Sequence, residues 1–316
     1  MAHFFVVGDA TVDQMYFVDD FPEHGGEVAA LRAVMQPGGS GGTVATVLAR
    51  LGNRTCIATR VGTGPFSELT LRNIVAAGVD TRLIQKDADL QTSSILLIVT
   101  PDAQRTMISA AGASRQLDSA ELREADVAAC DALVMSAYSL IGGPQKEYAL
   151  QSLAYARKHK LTTFVDLGTG AVSALKGRLV PALAGVDYWL MNERELYMLT
   201  GRSSISEAVH DLRDQGIEQI VVKVGAMGSI VINSDINELV EAHEVDGVVD
   251  STGAGDYYTA AFAHAIMAGH DMYSAARFGN VAGALNTTMV GAQSLVLDEA
   301  TLQRHAGAGV LTDAPA

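Results

Sequence analysis

The chain has 316 residues, which is enough for one large domain or for a large domain with a small appendage. Its 22 Lys and Arg against 36 Asp and Glu give a formal net charge of −14, which argues against a nucleic-acid-binding surface. Cys56 and Cys130 are too few for a disulfide framework and lack metal-ligand spacing. With no signal peptide at the start and no apolar run of about 18 residues, we expect a cytoplasmic protein without a membrane partner.

A short apolar strand is predicted at the start of the chain. Phe4–Val7 is continuously apolar, as is typical of a central strand in a parallel sheet. Asp9 and Asp13 follow it, and ligands of open α/β sheets bind beyond the carboxyl ends of the strands. Both carboxylates could accept hydrogen bonds from hydroxyl groups of a ligand, although Asp9 is equally well explained as a solvated loop residue.

Two pairs of β-like segments predict two hairpins. The first pair is Met15–Val18 with Glu27–Met35, and the second is Ser94–Val99 with Arg105–Ser109 around the turn Pro101–Gln104. Together they could form a small separate sheet, but the sequence does not show whether the two hairpins meet.

A glycine-rich segment, Gly38–Thr43, precedes a predicted helix, Val44–Leu51. Its four glycines allow a ligand to approach the backbone closely. The segment also reads G-x-S-x-G, the nucleophile elbow of α/β-hydrolases, with Ser40 as nucleophile. We disfavour that interpretation because the histidines late in the chain lie in no recognisable acid–His setting.

The next strand, Thr55–Arg60, is followed by Val61–Ser67 and a predicted helix, Glu68–Ala77. The connecting segment lacks the third glycine of a dinucleotide-binding fingerprint, and Pro65 interrupts it. A bound NAD is therefore not favoured.

From Ala132 onwards, strands and helices alternate. Such alternation predicts βαβ units and hence a mostly parallel central sheet between two helical layers, a three-layer αβα fold. The predicted segments are, in order, Ala132–Met135, Gln145–His159, Thr162–Val165, Ser173–Leu183, Tyr188–Leu190 and Arg194–Leu199. Tyr138 follows the first of these strands and should face the cleft, where packing and substrate stacking explain it equally well.

Two further strands, Gln219–Val224 and Ser229–Asn233, flank a glycine-containing turn, Gly225–Gly228. Lys223 beside this turn could contact a phosphate, but we favour an edge charge. The sequence contains no G-x-x-x-x-G-K-[ST] motif, which excludes a P-loop NTPase as far as motifs allow.

The most informative stretch is Asp250–Asp256, between a β-like run, Glu238–Val249, and an apolar predicted helix, Tyr257–Ala268. Its glycines permit close approach to a ligand, and the start of a helix presents free N–H groups and a positive dipole end to phosphate oxygens. Asp256 should lie in the first turn and stay ionised at neutral pH, ready to accept a proton.

The chain should end with two helices and a tail. The helices are predicted at Ala275–Thr288 and Asp298–His305, and Ala306–Ala316 is expected to be mobile.

The string D-S-T-G-A-G-D at residues 250–256 closely resembles the C-terminal signature of the ribokinase-like (PfkB) family of sugar and nucleoside kinases. The resemblance implies the ribokinase-like fold and an ATP- and Mg²⁺-dependent kinase. Asp256 would be the catalytic base, and the amides of Gly253, Ala254 and Gly255 would form the anion hole.

Other segments resemble the family in the same order along the chain. Gly38–Thr43 matches its N-terminal Gly-Gly signature, with Thr43 where many members have a substrate-binding Asn, and Asn192–Glu195 matches its Asn-x-x-Glu motif. By resemblance, the expected substrate contacts are Asp9, Asp13, Gly38, Gly39, Ser40, Thr43, Arg105 and Tyr138. The expected nucleotide contacts are Asn192, Lys223, Gly225, Gly228, Thr252 and Asn280.

The resemblance also implies metal sites and domain boundaries. Glu195 would hold Mg²⁺ through water, and Asp250 could hold a monovalent cation such as K⁺, as in some relatives. The α/β domain would comprise residues 1–13, 37–90 and 113–316. Residues 14–36 and 91–112 would form a small β lid, through which two copies of the chain could form a homodimer. A nucleoside kinase and a non-catalytic sugar-binding protein remain alternatives, the latter because Thr43 and Gly64 depart from the family pattern.

Overall fold

The computed structural model describes residues 1–101 and 105–307. Residues 102–104 of the predicted hairpin turn and residues 308–316 of the predicted tail lie outside this part. The strands are β1 (His3–Val7), β2 (Thr11–Phe17), β3 (Arg32–Gly38), β4 (Arg54–Val61), β5 (Ile84–Lys86), β6 (Ser94–Val99), β7 (Arg105–Ala110), β8 (Ala132–Ser136), β9 (Thr162–Asp166), β10 (Tyr188–Asn192), β11 (Gln219–Lys223), β12 (Gly228–Ile232) and β13 (Asn237–Glu241). The α-helices are α1 (Ser40–Arg50), α2 (Pro65–Ala76), α3 (Glu124–Ala128), α4 (Pro144–Lys158), α5 (Thr169–Leu175), α6 (Leu179–Ala182), α7 (Glu193–Thr200), α8 (Ile205–Asp214), α9 (Ala254–Met267), α10 (Met272–Asn286) and α11 (Glu299–Ala306).

Nine strands form the large sheet, in the order β13-β12-β11-β10-β9-β8-β1-β4-β5. All neighbours from β11 to β5 are parallel, and β12 and β13 add an antiparallel edge. The predicted mostly parallel sheet is therefore confirmed. Strand β1 lies inside the sheet, between β4 and β8.

The sheet is covered by helices on both faces. Successive side chains of a strand point to opposite faces, and those of β1 divide accordingly between two buried apolar clusters. Phe4 and Val6 belong to the cluster that includes residues of α1, α2, α9, α10 and α11, and Phe5 and Val7 to the cluster that includes residues of α3 to α8. This confirms the three-layer αβα arrangement.

A second sheet contains four strands in the order β3-β2-β6-β7. Strands β2 and β3 form one antiparallel hairpin and β6 and β7 the other. The hairpins meet through parallel pairing of β2 with β6, in which Val12 lies opposite Ser94. The two predicted hairpins thus form one small sheet, whose strands begin at Thr11 and reach as far as Gly38 in the first hairpin.

Several element boundaries differ from the predictions for local reasons. Helix α1 begins at Ser40, because Gly39, at φ 85°, separates it from β3 and the rest of the glycine-rich segment is helical. The predicted helix Ser173–Leu183 is broken where Lys176 takes a φ of 48°. The predicted strand before the signature ends at Glu241, and residues 242–251 form neither helix nor strand.

Candidate active site

The start of α9 carries the predicted anion hole. Gly253 precedes the helix with a φ of 81°, and a Cβ there would lie 2.7 Å from the Cα of Ala292. The N–H of Ala254 lies 3.3 Å from the carbonyl oxygen of Ser251, so it is engaged in a turn. Within the described chain, the N–H groups of Gly253, Gly255 and Asp256 donate to no protein acceptor. The free donors therefore include that of Asp256 instead of that of Ala254.

Asp256 lies in the first turn of α9 and faces the first residue of α1. Its Oδ1 accepts a 2.6 Å hydrogen bond from Ser40 Oγ. Burial and the nearby carboxylate of Asp166 raise the pKa of Asp256 to about 7, against the opposing effects of Ser40 and Lys223. A carboxylate with this pKa is only partly ionised at neutral pH, whereas the sequence predicts one that stays ionised.

Lys223 lies beside the first turn of α9. Its Nζ is 3.3 Å from the position that a Cβ on Gly255 would occupy, and it binds both carboxylate oxygens of Asp166 at 2.8 and 3.0 Å. Thr259 Oγ1 donates a further 2.8 Å bond to Asp166. Although burial alone would lower it, the pKa of Lys223 is raised by Asp166 and Glu195, so the ammonium group stays charged. The interpretation of Lys223 as an edge charge is wrong, because its side chain is buried in an ion pair.

Asp13 points from β2 onto the glycine-rich segment. It lies across the backbone of Gly38, where a Cβ would come within 2.3 Å of its carboxylate atoms. Thr11 Oγ1 donates a 2.8 Å hydrogen bond to it. Burial, with a contribution from Asp250, raises the pKa of Asp13 to about 6. Glycine at position 38 is thus explained by the placement of this carboxylate.

Asp9 follows β1 and is tied to the surrounding protein. Its carboxylate accepts a hydrogen bond from Gln145 Nε2, and burial raises its pKa. Its carbonyl accepts the N–H of Gly42 and lies 2.4 Å from the position of a Cβ on Gly39, so glycine at 39 permits this close approach. A solvated loop carboxylate is therefore a poor description of Asp9.

Thr43 is fully buried, with its Oγ1 3.4 Å from Gln293 Nε2. The same amide group of Gln293 lies 3.3 Å from the carbonyl of Gly38. Thr43 thus faces the protein interior in this structure, and its predicted contact with substrate stays a prediction.

Arg105, from the small sheet, reaches the signature. Its Nη1 donates a 2.8 Å hydrogen bond to Thr252 Oγ1 and lies 3.6 Å from Asp250 Oδ1. Asp250 also accepts the N–H and hydroxyl of Thr252 and the N–H of Gly291. Hydrogen-bond donors thus surround Asp250, which fits a cation poorly, and K⁺ at this residue stays a prediction.

Asn192 and Glu195 form a capping box at the start of α7. Asn192 Oδ1 accepts the N–H of Glu195 at 2.8 Å, and Glu195 Oε2 accepts the N–H of Asn192 at 2.9 Å. Glu195 Oε1 accepts the hydroxyl of Thr169 at 3.0 Å. Burial raises the pKa of Glu195, while Lys223 lowers it. Because protein donors already bind both oxygens, Glu195 suits water-mediated binding of a metal better than direct ligation.

The remaining predicted contacts have evident structural roles. Asn280 donates to the carbonyls of Val240 and Glu241, which ties α10 to β13. A Cβ on Gly228, at φ 106°, would lie 2.1 Å from the carbonyl oxygen of Val240. Gly225, at φ 61°, opens the same turn and has open space around it. Tyr138 packs against Gly168 and Gly170, accepting the N–H of Gly170 at 3.3 Å.

The profile of the pfkB family carbohydrate kinases matches residues 1–299. The chain belongs to this family. As a pfkB family member it is a kinase of the sugar and nucleoside type. The hydrolase interpretation of Ser40 is wrong, since the serine hydroxyl binds Asp256 and not a histidine.

Individual pfkB relatives agree with this membership. A deoxyribokinase from Salmonella typhimurium is 25% identical over 296 residues, covering 92% of this chain and 94% of the relative. Adenosine kinase from Sinorhizobium meliloti has a similar fold, with a TM-score of 0.88, 24% identity and coverage of 97% and 99%. A protein from E. coli solved with ATP and Mg²⁺ superimposes with a TM-score of 0.82, 21% identity and coverage of 96% and 99%. These structural similarities establish the ribokinase-like fold.

Two residues that contact predicted site residues, Asp166 and Gln293, were not predicted from the sequence. Asp166 ends β9, and Gln293 lies after α10 in a segment without a recognised motif. Asp166 had a usable signal, because it is a lone carboxylate at the carboxyl end of a buried strand.

In the described part of the chain, no helix is both long and apolar enough to cross a membrane.

Proposed function

We propose that the protein transfers the terminal phosphoryl group of ATP to a hydroxyl of a sugar or sugar-like small molecule. Asp256 removes the hydroxyl proton, the freed oxygen bonds to the terminal phosphorus, and the phosphoanhydride bond to ADP breaks. The observation that carries this proposal is the position of Asp256. A carboxylate with a pKa near 7 shares one helical turn with free backbone donors and adjoins a charged Lys223.

The charges of this turn support binding of the transferring group. The N–H groups of Gly253, Gly255 and Asp256 and the positive end of α9 suit phosphoryl oxygens. Lys223 adds a full positive charge at the same place. Phosphoryl transfer depends mainly on positioning and charge stabilisation, which is what these groups supply.

Magnesium would be held indirectly in this proposal. Glu195 and the capping-box residue Asn192 would bind waters of the ion, since no oxygen of Glu195 is free of protein donors. When bound with ATP, the ion neutralises phosphate charge. The ion pair between Asp166 and Lys223 fixes the position of the Lys223 charge next to this site. The carboxylate of Asp256 remains the proton acceptor.

Asp13 is proposed to orient the acceptor. Its buried carboxylate, fixed over Gly38 by the Thr11 hydroxyl, can accept hydrogen bonds from substrate hydroxyls. Asp9, Gly39 and the small-sheet residue Arg105 complete the proposed substrate side. Sugar hydroxyls need such acceptors, and the low exposure of Asp13 strengthens each bond.

The test is ADP release with ATP, Mg²⁺ and a panel of sugars, deoxy-keto sugar acids and nucleosides, using wild type and Asp256→Asn. We expect one class of acceptor to be phosphorylated and the variant to lose about 10³-fold or more in kcat, within the range for loss of a general base. Acceptor binding, measured by calorimetry, should change only a few-fold. Asp271→Asn is the matched control, because Asp271 caps α10 and has no part in the proposed site. An Asp256→Asn enzyme with wild-type kcat would contradict the proposed base.

A nucleoside kinase is the second candidate. It is favoured by the similarity in fold to the Sinorhizobium adenosine kinase, and Tyr138 offers a ring near the cleft. The same panel separates the two, because a nucleoside kinase would release ADP with nucleosides and not with free sugars. Ligand-dependent stabilisation without ADP release for any acceptor would instead indicate a sugar-binding protein.

We further propose that the small sheet can associate with a second copy. Met35 and Ile108 lie on the same face of the sheet, in line with Gln14 and Leu96, and leave 49% and 57% of their surface exposed on its outer strands, an arrangement that supports an interaction surface. Sedimentation of the wild type and of Ile108→Lys tests this. A monomeric wild type would reject it.

A further inference from the structure

We propose that His3, Cys56 and Cys130 form a binding site for one Zn²⁺ ion, at the edge of the large sheet opposite the reaction centre. Their ligand atoms all lie within 4.8 Å of one another. Zinc at about 2.3 Å from sulfur and 2.0–2.1 Å from nitrogen separates tetrahedral ligands by about 3.5–3.8 Å, so the distances between ligand atoms need to shorten by at most about 1.3 Å.

The topology brings together residues that are far apart in the sequence. His3 begins β1, Cys56 is in β4 and Cys130 precedes β8, and these three strands are adjacent in the sheet. Cys56 lies directly opposite Phe5 in the register of β1 and β4. The distance in sequence explains why the cysteines show no metal-ligand spacing.

The backbone holds the three ligands in place without a metal. The N–H of His3 donates 2.8 Å to Asp131 Oδ2, and the N–H of Asp131 donates 2.8 Å to the carbonyl of His3. This reciprocal pair fixes the histidine next to Cys130. Such preorganisation reduces the conformational cost of binding an ion.

The imidazole of His3 has the hydrogen bond that a metal ligand needs. Its Nδ1 lies 2.8 Å from the carbonyl oxygen of Ala129. Since a carbonyl only accepts, Nδ1 carries the proton and Nε2 keeps a free lone pair. Metal-binding histidines commonly donate their second nitrogen to a carbonyl in this way, which fixes both the tautomer and the ring orientation.

The two cysteines are free thiols close to each other. Cys56 Sγ donates to the carbonyl of Phe4 and Cys130 Sγ to that of Asp126, each at 3.5 Å. Both residues are buried, while His3 is partly exposed, so an ion and a completing water would enter from the histidine side. Two thiolates and an imidazole are a ligand set that zinc prefers, and binding would release the two thiol protons.

The experiment uses the full-length protein, stripped with chelator in the presence of a thiol reductant. Titration with Co²⁺ should give one equivalent bound per chain with a strong near-ultraviolet thiolate-to-cobalt band, which Zn²⁺ then displaces. Because the ion binds the folded state, saturating Zn²⁺ should raise Tm by several degrees. Cys56→Ser, Cys130→Ser and His3→Gln should each weaken binding by more than about 100-fold. His24→Gln, which changes an exposed histidine outside the cluster, should bind as wild type.

Several outcomes would overturn the site. They are the absence of a stoichiometric cobalt band, metal binding that survives Cys130→Ser, or a Cys56–Cys130 disulfide that persists in the thiol reductant and so leaves no thiolates for the metal. If Cys56→Ser does not fold, His3→Gln and Cys130→Ser carry the test, because both positions lie outside the strand interior. The rate of phosphorylation with and without Zn²⁺ should differ by less than twofold. Failure of the zinc proposal is therefore distinguishable from failure of the proposed kinase activity.

Discussion

Ser40, the first residue of α1, donates a 2.6 Å hydrogen bond to Asp256 in the first turn of α9, across a separation of 216 residues. The bond stabilises the ionised carboxylate and so acts against burial, which raises the pKa of Asp256 to about 7. The glycine-rich segment therefore contributes to the proposed base directly.

Ser40→Ala should shift the pH dependence of the reaction. Without this donor the pKa of Asp256 rises further, so the ionised form that accepts a proton appears only at higher pH. We expect the acidic limb of kcat/KM to move up by as much as about one pH unit, with a several-fold loss at pH 7 and near-recovery at pH 9. Ser204→Ala, at the exposed cap of α8, is the control. An unshifted limb in Ser40→Ala would show that the hydrogen bond does not tune the base.

Lys223→Met should destabilise the fold. It leaves the Asp166 carboxylate buried with only the Thr259 donor, and breaking a buried pair typically costs about 3–5 kcal/mol. Urea unfolding measures this. Asp166→Asn combined with Lys223→Met should recover part of the loss, because the charge of Asp166 is then no longer left unpaired.

The exposed pair Arg202–Asp211 gives the matched control for that prediction. Its side chains are 50% and 29% exposed, and its shortest contact is 2.6 Å. Surface ion pairs are screened by water, so Arg202→Ala should hardly change the unfolding curve. If Lys223→Met were equally harmless, the buried pair would contribute nothing to stability.

Arg105→Ala should weaken acceptor binding. Arg105 connects the small sheet to the segment before α9 through its hydrogen bond to Thr252. Without this bond the sheet is less firmly held over the proposed site. We expect KM for the acceptor to rise about tenfold with a smaller effect on kcat. Arg32→Ala is the control, because Arg32 belongs to the same sheet but stacks on Phe17 at 4.1 Å. Equal effects of the two variants would indicate general loosening of the sheet.

Gly38→Ala should displace the Asp13 carboxylate. The added Cβ would lie 2.3 Å from it, so the side chain must rotate away. We expect acceptor KM, by steady-state kinetics, to rise at least about tenfold through loss of a positioned contact. Gly142→Ala, which has open space around its Cβ position, should behave as wild type. Wild-type KM in Gly38→Ala would argue against Asp13 as a substrate contact.

The parts of the fold that the sequence predicted are those with a local pattern. Apolar runs such as Phe4–Val7 predicted central strands, and the start of α9 followed from the glycines before Asp256. The local pattern misplaced helix boundaries where a residue with positive φ precedes or interrupts a helix, as at Gly39 and Lys176. Helix α8 was not predicted, although Ser204 caps it.

The site was predictable where one short motif contains its parts. The Asp166–Lys223 pair joins residues 57 positions apart, and pairing depends on β9, β10 and β11 being neighbours in the sheet. The pKa of Asp256 likewise depends on burial and on Asp166, which no local pattern reports. The His3, Cys56 and Cys130 cluster required the adjacency of β1, β4 and β8.

The side-by-side placement of α1 and α9 has a consequence for synthesis of the protein. The amino-terminal half of the proposed site leaves the ribosome early, but it meets its carboxyl-terminal half only after residue 256 has emerged. A growing or prematurely terminated chain therefore lacks the complete proposed site.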